Sequence, residues 1–469
     1  MTNKLRRLTL VLGIIVVLLG AYTLLYSPFS IVGRPSQSKT TSISYNAQIQ
    51  RQEFVTEYSL PPNSEPNVVG VGSDGTVWSV LQNSSALVEL DPSSGAVHQY
   101  ILPFSSKVGL QTWGIAVDSS RNLVWFTDQT SNSVWNFNIT SHTFARYSLP
   151  AKNSFPFDIA VDSKGDAWFT EYFGGKLGEI TSTGRLAEWN VSSDAYSEPA
   201  GITIDNQRNV VWFTLLQGNS VCSFSNGRIQ LYNLSGYGVS YVTGIAVDSG
   251  GNLWLTQHGP SLISEYNPTT HYFRSISTSI PPLNTSLPYF VAVDQSNRVW
   301  FDEHYGNSIA VFNPQDSSLV EYLIPPGPDA FANLTGAVQI GLGPDGRAWF
   351  PELYTGRIGS VNSSEDLSYN LTFQNSSIPQ SPIVSNDGST VTLNFSIAGK
   401  CNCGISLNAY MSNSTGKFSF SFGRDSGIGN FSSTFTIRNT GAERGVYFVT
   451  VSAKSASITV SRVLEIQSN

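Results

Sequence analysis

From Phe54 to Asn362 apolar and polar positions alternate with a period of two, and each alternating run breaks after a few residues at Gly, Asn, Asp or Ser. That pattern predicts short half-buried strands joined by tight turns. One stretch parses cleanly: a strand "FDIAVD", a turn "SKG", a strand "DAWFTE", a turn "YFGG", a strand "KLGEIT", a turn "STG" and a strand "RLAEWNV". The same unit recurs around Trp78, Trp125, Trp168, Trp212, Trp254, Trp300 and Trp349, spaced by 47, 43, 44, 42, 46 and 49 residues. A period in the forties built only from strand-like runs predicts a seven-bladed β-propeller, since one four-stranded blade cannot bury both its faces without neighbours. Asp118, Asp162, Asp205, Asp248 and Asp294 end the first strand of successive units. At the start of a tight turn an Asp accepts hydrogen bonds from backbone two or three residues on, so a turn role is expected of them.

Outer strands read "EYSLP", "QYILP", "RYSLP", "EWNV", "LYNL", "FRSISTSIP" and "EYLIP", and the first of them precedes the first inner strand. The last Trp unit has no clear outer strand after it, so the simplest closure lends "FVTEYSLP" to that blade and hides a sheet edge. The competing closure uses "LSYNLTF", Leu367 to Phe373. After Asn375 the repeat stops and six further strand-like runs follow, ending in "GVYFVTVSAKS" and "SITVSRVLEIQ". This spacing predicts an immunoglobulin-like β-sandwich with Tyr447 as a tyrosine corner.

The exception to the strand texture is Leu8 to Leu25, "LTLVLGIIVVLLGAYTLL", charge-free and long enough to cross a bilayer as a helix. Lys4, Arg6 and Arg7 precede it, which keeps the N-terminus cytoplasmic and sends the body outside. A cleaved signal peptide is the competing reading, but no small-x-small site follows closely. The chain is therefore expected to be all-β with one N-terminal transmembrane helix. Its expected divisions are a cytoplasmic stub and anchor (1–34), a linker (35–52), the propeller (53–365) and the sandwich (366–469).

Charge modifies this picture little. Only 13% of residues are charged and the net charge is −7, so the dense basic patch that nucleic acid requires is missing. Twelve Asn-x-Ser/Thr sequons, about twice the chance number, fit an extracytoplasmic glycoprotein. The cysteines are Cys222, expected in the core, and the pair Cys401 and Cys403, whose one-residue spacing would strain a disulfide.

The unit "P-x-x-IAVD-x-x-G-x-x-WFTE-x-x-x-x-K-I/L-G-x-I" resembles the blade of the streptogramin lyases, the virginiamycin B lyase family of seven-bladed propellers. The resemblance runs from about Phe54 to Asn362 and is densest in "FPFDIAVDSKGDAWFTEYFGGKLGEI" and "WFPELYTGRIGSV". It implies opening of a cyclic depsipeptide by elimination, with Mg²⁺ on acidic residues and a histidine from a "P-H-G/A-I" element before an inner strand. Here that histidine position holds Asn67, Trp113, Phe157, Ala200, Thr243 or Tyr289. None of these replaces imidazole as an acid or base near neutral pH.

Candidate chemistry therefore gathers at the rim where second strands end. Asp128, Glu171, Glu303 and Glu352 are the expected ligands for a Mg²⁺ or Ca²⁺ ion, both of which prefer oxygen. His304, beside Asp302 and Glu303 in "WFDEHYGNS", is the first choice for catalysis, with Glu303 as its companion. Trp113, Phe157, Tyr172, Tyr241, His258, Tyr289 and Tyr305 form an expected ligand-binding rim, suited to stacking on a glycan, a peptide or a cell-surface protein ligand. Two functions follow as expectations: a surface binding or scaffold protein, or a metal-dependent lyase or lactone hydrolase.

Overall fold

The computed structural model describes residues 38–61, 63–103, 109–191, 197–278, 285–327, 334–364, 366–373, 383–384, 388–411 and 417–468. Leu8 to Leu25 lies outside them, and among the described residues no helix is long and apolar enough to cross a membrane. Their one helical element is a single 3₁₀ turn at Ser235–Tyr237.

Seven antiparallel sheets form the blades. Blades 1 to 6 run from Pro66–Val71 to Ala96–Ile101, Ile115–Asp118 to Thr143–Ser148, Pro156–Val161 to Leu186–Asn190, Pro199–Asp205 to Arg228–Asn233, Val242–Val247 to Phe273–Ser277, and Pro288–Val293 to Ser318–Leu323. Blade 7 takes Gly341–Leu342, Ala348–Glu352 and Arg357–Val361, and Val55–Ser59 from the N-terminal side becomes its outer strand. The other candidate for that place, Tyr369–Phe373, pairs instead with Thr390–Gly399 in the C-terminal region.

Packing between blades follows from strand alternation. On one face of blade 5, Trp254, Ile263 and Ile276 meet Phe301, Ala310 and Phe312 of blade 6 in one apolar cluster. Within a blade, the far end of the Phe169 ring lies against Gly178, where a Cβ would stand 2.2 Å from it, and Phe350 meets Gly359 in the same way. The repeated Asp closes its turn and, in blades 3, 5 and 6, also accepts the indole N–H of the repeated Trp: Asp162 from Trp168 (3.3 Å), Asp248 from Trp254 (3.3 Å) and Asp294 from Trp300 (3.0 Å). One acid thus ties a turn to the core residue that follows it.

The stretch expected to be a linker is built into sheets. Ser38–Lys39, Ser42–Asn46 and Ile49–Arg51 add to the outer edges of blades 2, 1 and 7 in turn. Its Ser/Thr-rich sequence hides these strands because an added edge strand needs only its backbone to pair.

The C-terminal region is a two-sheet sandwich. One sheet orders Tyr369–Phe373, Thr390–Gly399, Phe431–Asn439 and Phe418–Phe422; the other contains Ile458–Ser468, Gly445–Lys454, Gly404–Met411 and Ser426–Ile428. The second sheet continues blade 6, because Ile458–Ser468 pairs antiparallel with Ser318–Leu323. Tyr369 donates to the carbonyls of Ala453 (2.8 Å) and Ile458 (2.9 Å), fastening one sheet to the other. The Tyr447 hydroxyl donates to the Glu443 carbonyl four residues upstream at 2.9 Å. Cys401 and Cys403 form a disulfide, and Cys222 is buried with its thiol pushed by burial up to about 12.

Candidate functional site at the channel mouth

The loops joining one blade's outer strand to the next blade's first strand gather at one end of the central channel. Phe155, Glu198, Tyr241 and Leu287 stand just before the first strands of blades 3 to 6 with φ of 60°, 41°, 51° and 52°. A left-handed backbone at bulky residues costs free energy, and four in equivalent places mark a shape the fold enforces. A register shift follows at Pro156/Ile159, Pro199/Ile202, Val242/Ile245 and Pro288/Val291. Such bulges re-aim side chains. Here they fall on Phe157, Ala200, Thr243 and Tyr289.

A belt of threonines holds these strands in place. Thr127, Thr170, Thr214 and Thr256, each on a second strand, donate to the carbonyls of Phe157 (2.9 Å), Ala200 (2.6 Å), Thr243 (3.0 Å) and Tyr289 (2.7 Å) of the following blade. Neighbouring strands come so close that a Cβ on Gly201 would stand 2.4 Å from the Thr243 carbonyl oxygen. In blade 6 the Thr is replaced by Asp302, which accepts from the Phe290 amide at 2.6 Å. Asp302 is fully buried and burial raises its pKa well above the usual range. Asp158, also buried, accepts from the amides of Ile159 (2.9 Å) and Ile202 (3.0 Å), and burial lifts it to about 7.

Most of the expected aromatic rim assembles here. Trp113 stacks on Phe157 (5.7 Å between centroids, 8° between planes) and meets Tyr289 at 5.4 Å; Phe157 meets Tyr172 at 5.7 Å. His258 packs edge-on to Tyr289 (5.2 Å) and lies parallel to His304 (5.1 Å, 14°). The Tyr172 hydroxyl donates to Glu198 at 2.8 Å. Tyr241 and Tyr305, 49% and 39% exposed, stand at the rim and share no ring contact with this group.

The histidines are neutral near pH 7. Burial brings His258 down to about 4; burial and the neighbouring His258 bring His304 to about 3. His304 Nδ1 lies 3.9 Å from Asp302 Oδ2, too far for a hydrogen bond. Protonating either ring would place a charge in a desolvated stack.

The four acids expected to share a cation do not come together. Each faces the third and outer strands of its own blade, because the alternation that sends Thr170 to the belt turns Glu171 the other way with Phe169. Asp128 accepts from the Ser131 amide (3.1 Å), the Ser131 hydroxyl and the Trp135 indole (3.2 Å). Glu171 is fully buried near Glu188, which Lys176 pairs at 2.5 Å, and burial first and then Glu188 raise it to about 7. Glu352 accepts from Thr355 at 2.5 Å beside the Glu57–Arg357 pair (2.8 Å), and burial followed by Glu57 raises it to about 8. Glu303 accepts from Ser308 at 2.7 Å and faces Glu321, so the pairing of Glu303 with His304 is also corrected: only the histidine reaches the mouth. Among the described residues no group of three or more His, Cys, Asp or Glu is placed to hold a metal ion.

Sequence reasoning assigned no site role to Asp158, Asp302 or Glu198, although Asp302 was in view as a neighbour of His304. Two of them had a signal, since Asp302 replaces the Thr of the repeat ("WFDE" for "WFTE") and Asp158 the Gly that precedes Ile in other units ("FDI" for "WGI", "AGI" and "TGI").

Comparison with known proteins agrees with the architecture. The model of the virginiamycin B lyase family matches residues 36–211. A streptogramin B lyase structure is 26% identical, covering 66% of this chain and 97% of its own at a TM-score of 0.58. Virginiamycin B lyase from Staphylococcus aureus is 20% identical over 69% of this chain and 99% of its own, TM-score 0.56. A catalytically inactive variant of that lyase with quinupristin is 24% identical over 66% of this chain and 98% of its own, TM-score 0.56. No protein of curated function matches the chain. The propeller is thus virginiamycin B lyase-like, as the repeat unit predicts.

Proposed function

We propose that this chain is a membrane-anchored extracytoplasmic binding protein. Its channel mouth takes a flat, uncharged ring of a glycan, peptide or cell-surface protein, and its C-terminal sandwich is an immunoglobulin-like spacer. One observation carries the reading: six rings, from Trp113, Phe157, Tyr172, His258, Tyr289 and His304, converge in one desolvated cluster whose two imidazoles are neutral near pH 7, with the Glu198 carboxyl on Tyr172 at its edge. Offset and edge-on aromatic contacts reward apolar planar ligands, while a desolvated patch penalises charged ones.

The lyase or lactone hydrolase reading rests on the likeness to streptogramin and virginiamycin B lyases. Against it, an imidazole at about 3 or 4 is a weak base at pH 7, where general-base catalysis works best with a pKa near the operating pH. The four acids are also held in separate blades. The discriminating experiment incubates purified protein with a cyclic depsipeptide and with simple lactones, with and without EDTA. The binding reading expects no opening of either ring; EDTA-sensitive opening would replace it with the lyase reading.

A further inference from the structure

Blades 3, 6 and 7 share a device. Each carries a Glu at the end of its second strand and a second Glu on its outer strand: Glu171 with Glu188, Glu303 with Glu321, Glu352 with Glu57. In blades 3 and 7 the residue directly opposite the first Glu is a cation, Lys176 or Arg357, which bonds the second Glu at 2.5 or 2.8 Å. In blade 6 that register position is Ser308, a neutral hydroxyl. Two buried carboxyls there have no cation from their own blade.

What faces them instead comes from the sandwich. Thr459 stands directly opposite Glu321 in the shared sheet, Ser461 is its neighbour on the same face, and the Tyr410 phenol feels the charge of both carboxyls. Glu321, Thr459 and Ser461 are all fully buried. By strict geometry Glu303 Oε1, both Glu321 oxygens, Tyr410 Oη, Thr459 Oγ1 and Ser461 Oγ have no hydrogen-bond partner, and they lean on one another, Glu321 on Glu303 and Thr459, and Tyr410 on Ser461. Lys454, half-exposed, acts on both carboxyls only through space. Unpartnered polar atoms gathered at one buried place, with no nitrogen or sulfur among them, indicate a bound ion or ordered water. Two carboxylates and several neutral oxygens are the donor set of a hard cation that tolerates irregular, flexible coordination.

We propose that Glu303, Glu321, Tyr410, Thr459 and Ser461 form a Ca²⁺ site at the seam between blade 6 and the sandwich, the ion taking the part that Lys176 and Arg357 play in blades 3 and 7. The site is separate from the channel mouth and makes the seam cation-dependent, because its ligands come from both sides.

Calorimetric titration of the purified full chain with CaCl₂ tests this, with thermal unfolding as a second readout. Wild type is expected to bind saturably and to melt at higher temperature with Ca²⁺ than with EDTA. Ser308→Lys, which installs the blade 3 arrangement, is expected to weaken binding by at least about tenfold and to lose the EDTA effect while remaining folded. Glu321→Gln is expected to weaken binding similarly, and Glu171→Gln in blade 3 to leave it unchanged. Absence of saturable binding in wild type, or undiminished binding in folded Ser308→Lys, overturns the proposal.

Discussion

Replacing Glu352 with Gln tests whether the buried acids are structural or metal-binding. Glu352 is fully buried, and burial followed by the negative Glu57 raises it from 4.5 to about 8. Its folded pKa therefore lies above the unfolded one: the stability its neutral form confers is complete below about 4.5 and is lost as pH rises through about 8. At 1.36 kcal/mol per pKa unit that span sets an upper bound of ~4–5 kcal/mol. Arg357 favours the ionised form and local relaxation softens the desolvation, so ~2 kcal/mol is the working figure. Gln keeps the Thr355 bond through its carbonyl oxygen and can donate its amide to Glu57. Scanning calorimetry should then show Glu352→Gln melting at least ~2 °C above wild type at pH 8.5 and level with it at pH 4.5. A variant equally destabilised at both pH values would refute the reasoning. So would an EDTA effect present in wild type and abolished by this substitution.

Three further outcomes follow from the same geometry. His258 and His304 have folded pKa values depressed below 6.5, so their contribution is present above about 6.5 and lost as pH falls through about 4 and 3; imidazole NMR signals of both should stay flat from pH 8 to 5, and a midpoint near 6.5 in either would contradict the buried stack. Thr256→Val removes the hydroxyl that accepts from the Gly244 amide (2.8 Å) and donates to the Tyr289 carbonyl (2.7 Å), and should cost ~1–3 kcal/mol in denaturant unfolding; a neutral result would show that the belt is not holding blades 5 and 6. Deleting residues up to Ser59 removes the outer strand of blade 7 and should yield aggregated or protease-sensitive protein, whereas a compact monomer would mean that the ring closes without Val55–Ser59.

The sequence made the blades legible because each needs the same few things at the same spacing: a Trp between sheets, an Asp at the first turn, and a Gly beneath Phe169 or Phe350. The aromatic mouth was legible for a related reason, since Trp113, Phe157 and Tyr289 sit where other units carry small residues. The direction in which Glu171, Glu303 and Glu352 point was misread. A strand end lies near the rim, but its side chain obeys the period of two, and that period turns each Glu toward the third and outer strands. The strands at Ser42–Asn46 and Ile49–Arg51 were hidden because pairing on an outer edge leaves little apolar imprint, as their exposed side chains show. The continuity of blade 6 with Ile458–Ser468 was equally silent. It links strands more than a hundred residues apart, and a ladder of backbone hydrogen bonds carries no sequence signal of its partner.

The central claim is that the mouth is a neutral aromatic site, and titrating Trp113 fluorescence with matched planar ligands tests it most directly. Phenol, indole and an aromatic glycoside should perturb the emission saturably, while benzoate and benzylamine should not, and Trp113→Phe should abolish the response in a protein that remains folded. Saturable binding of the charged ligands alone, or no response to any neutral ring, would contradict the account.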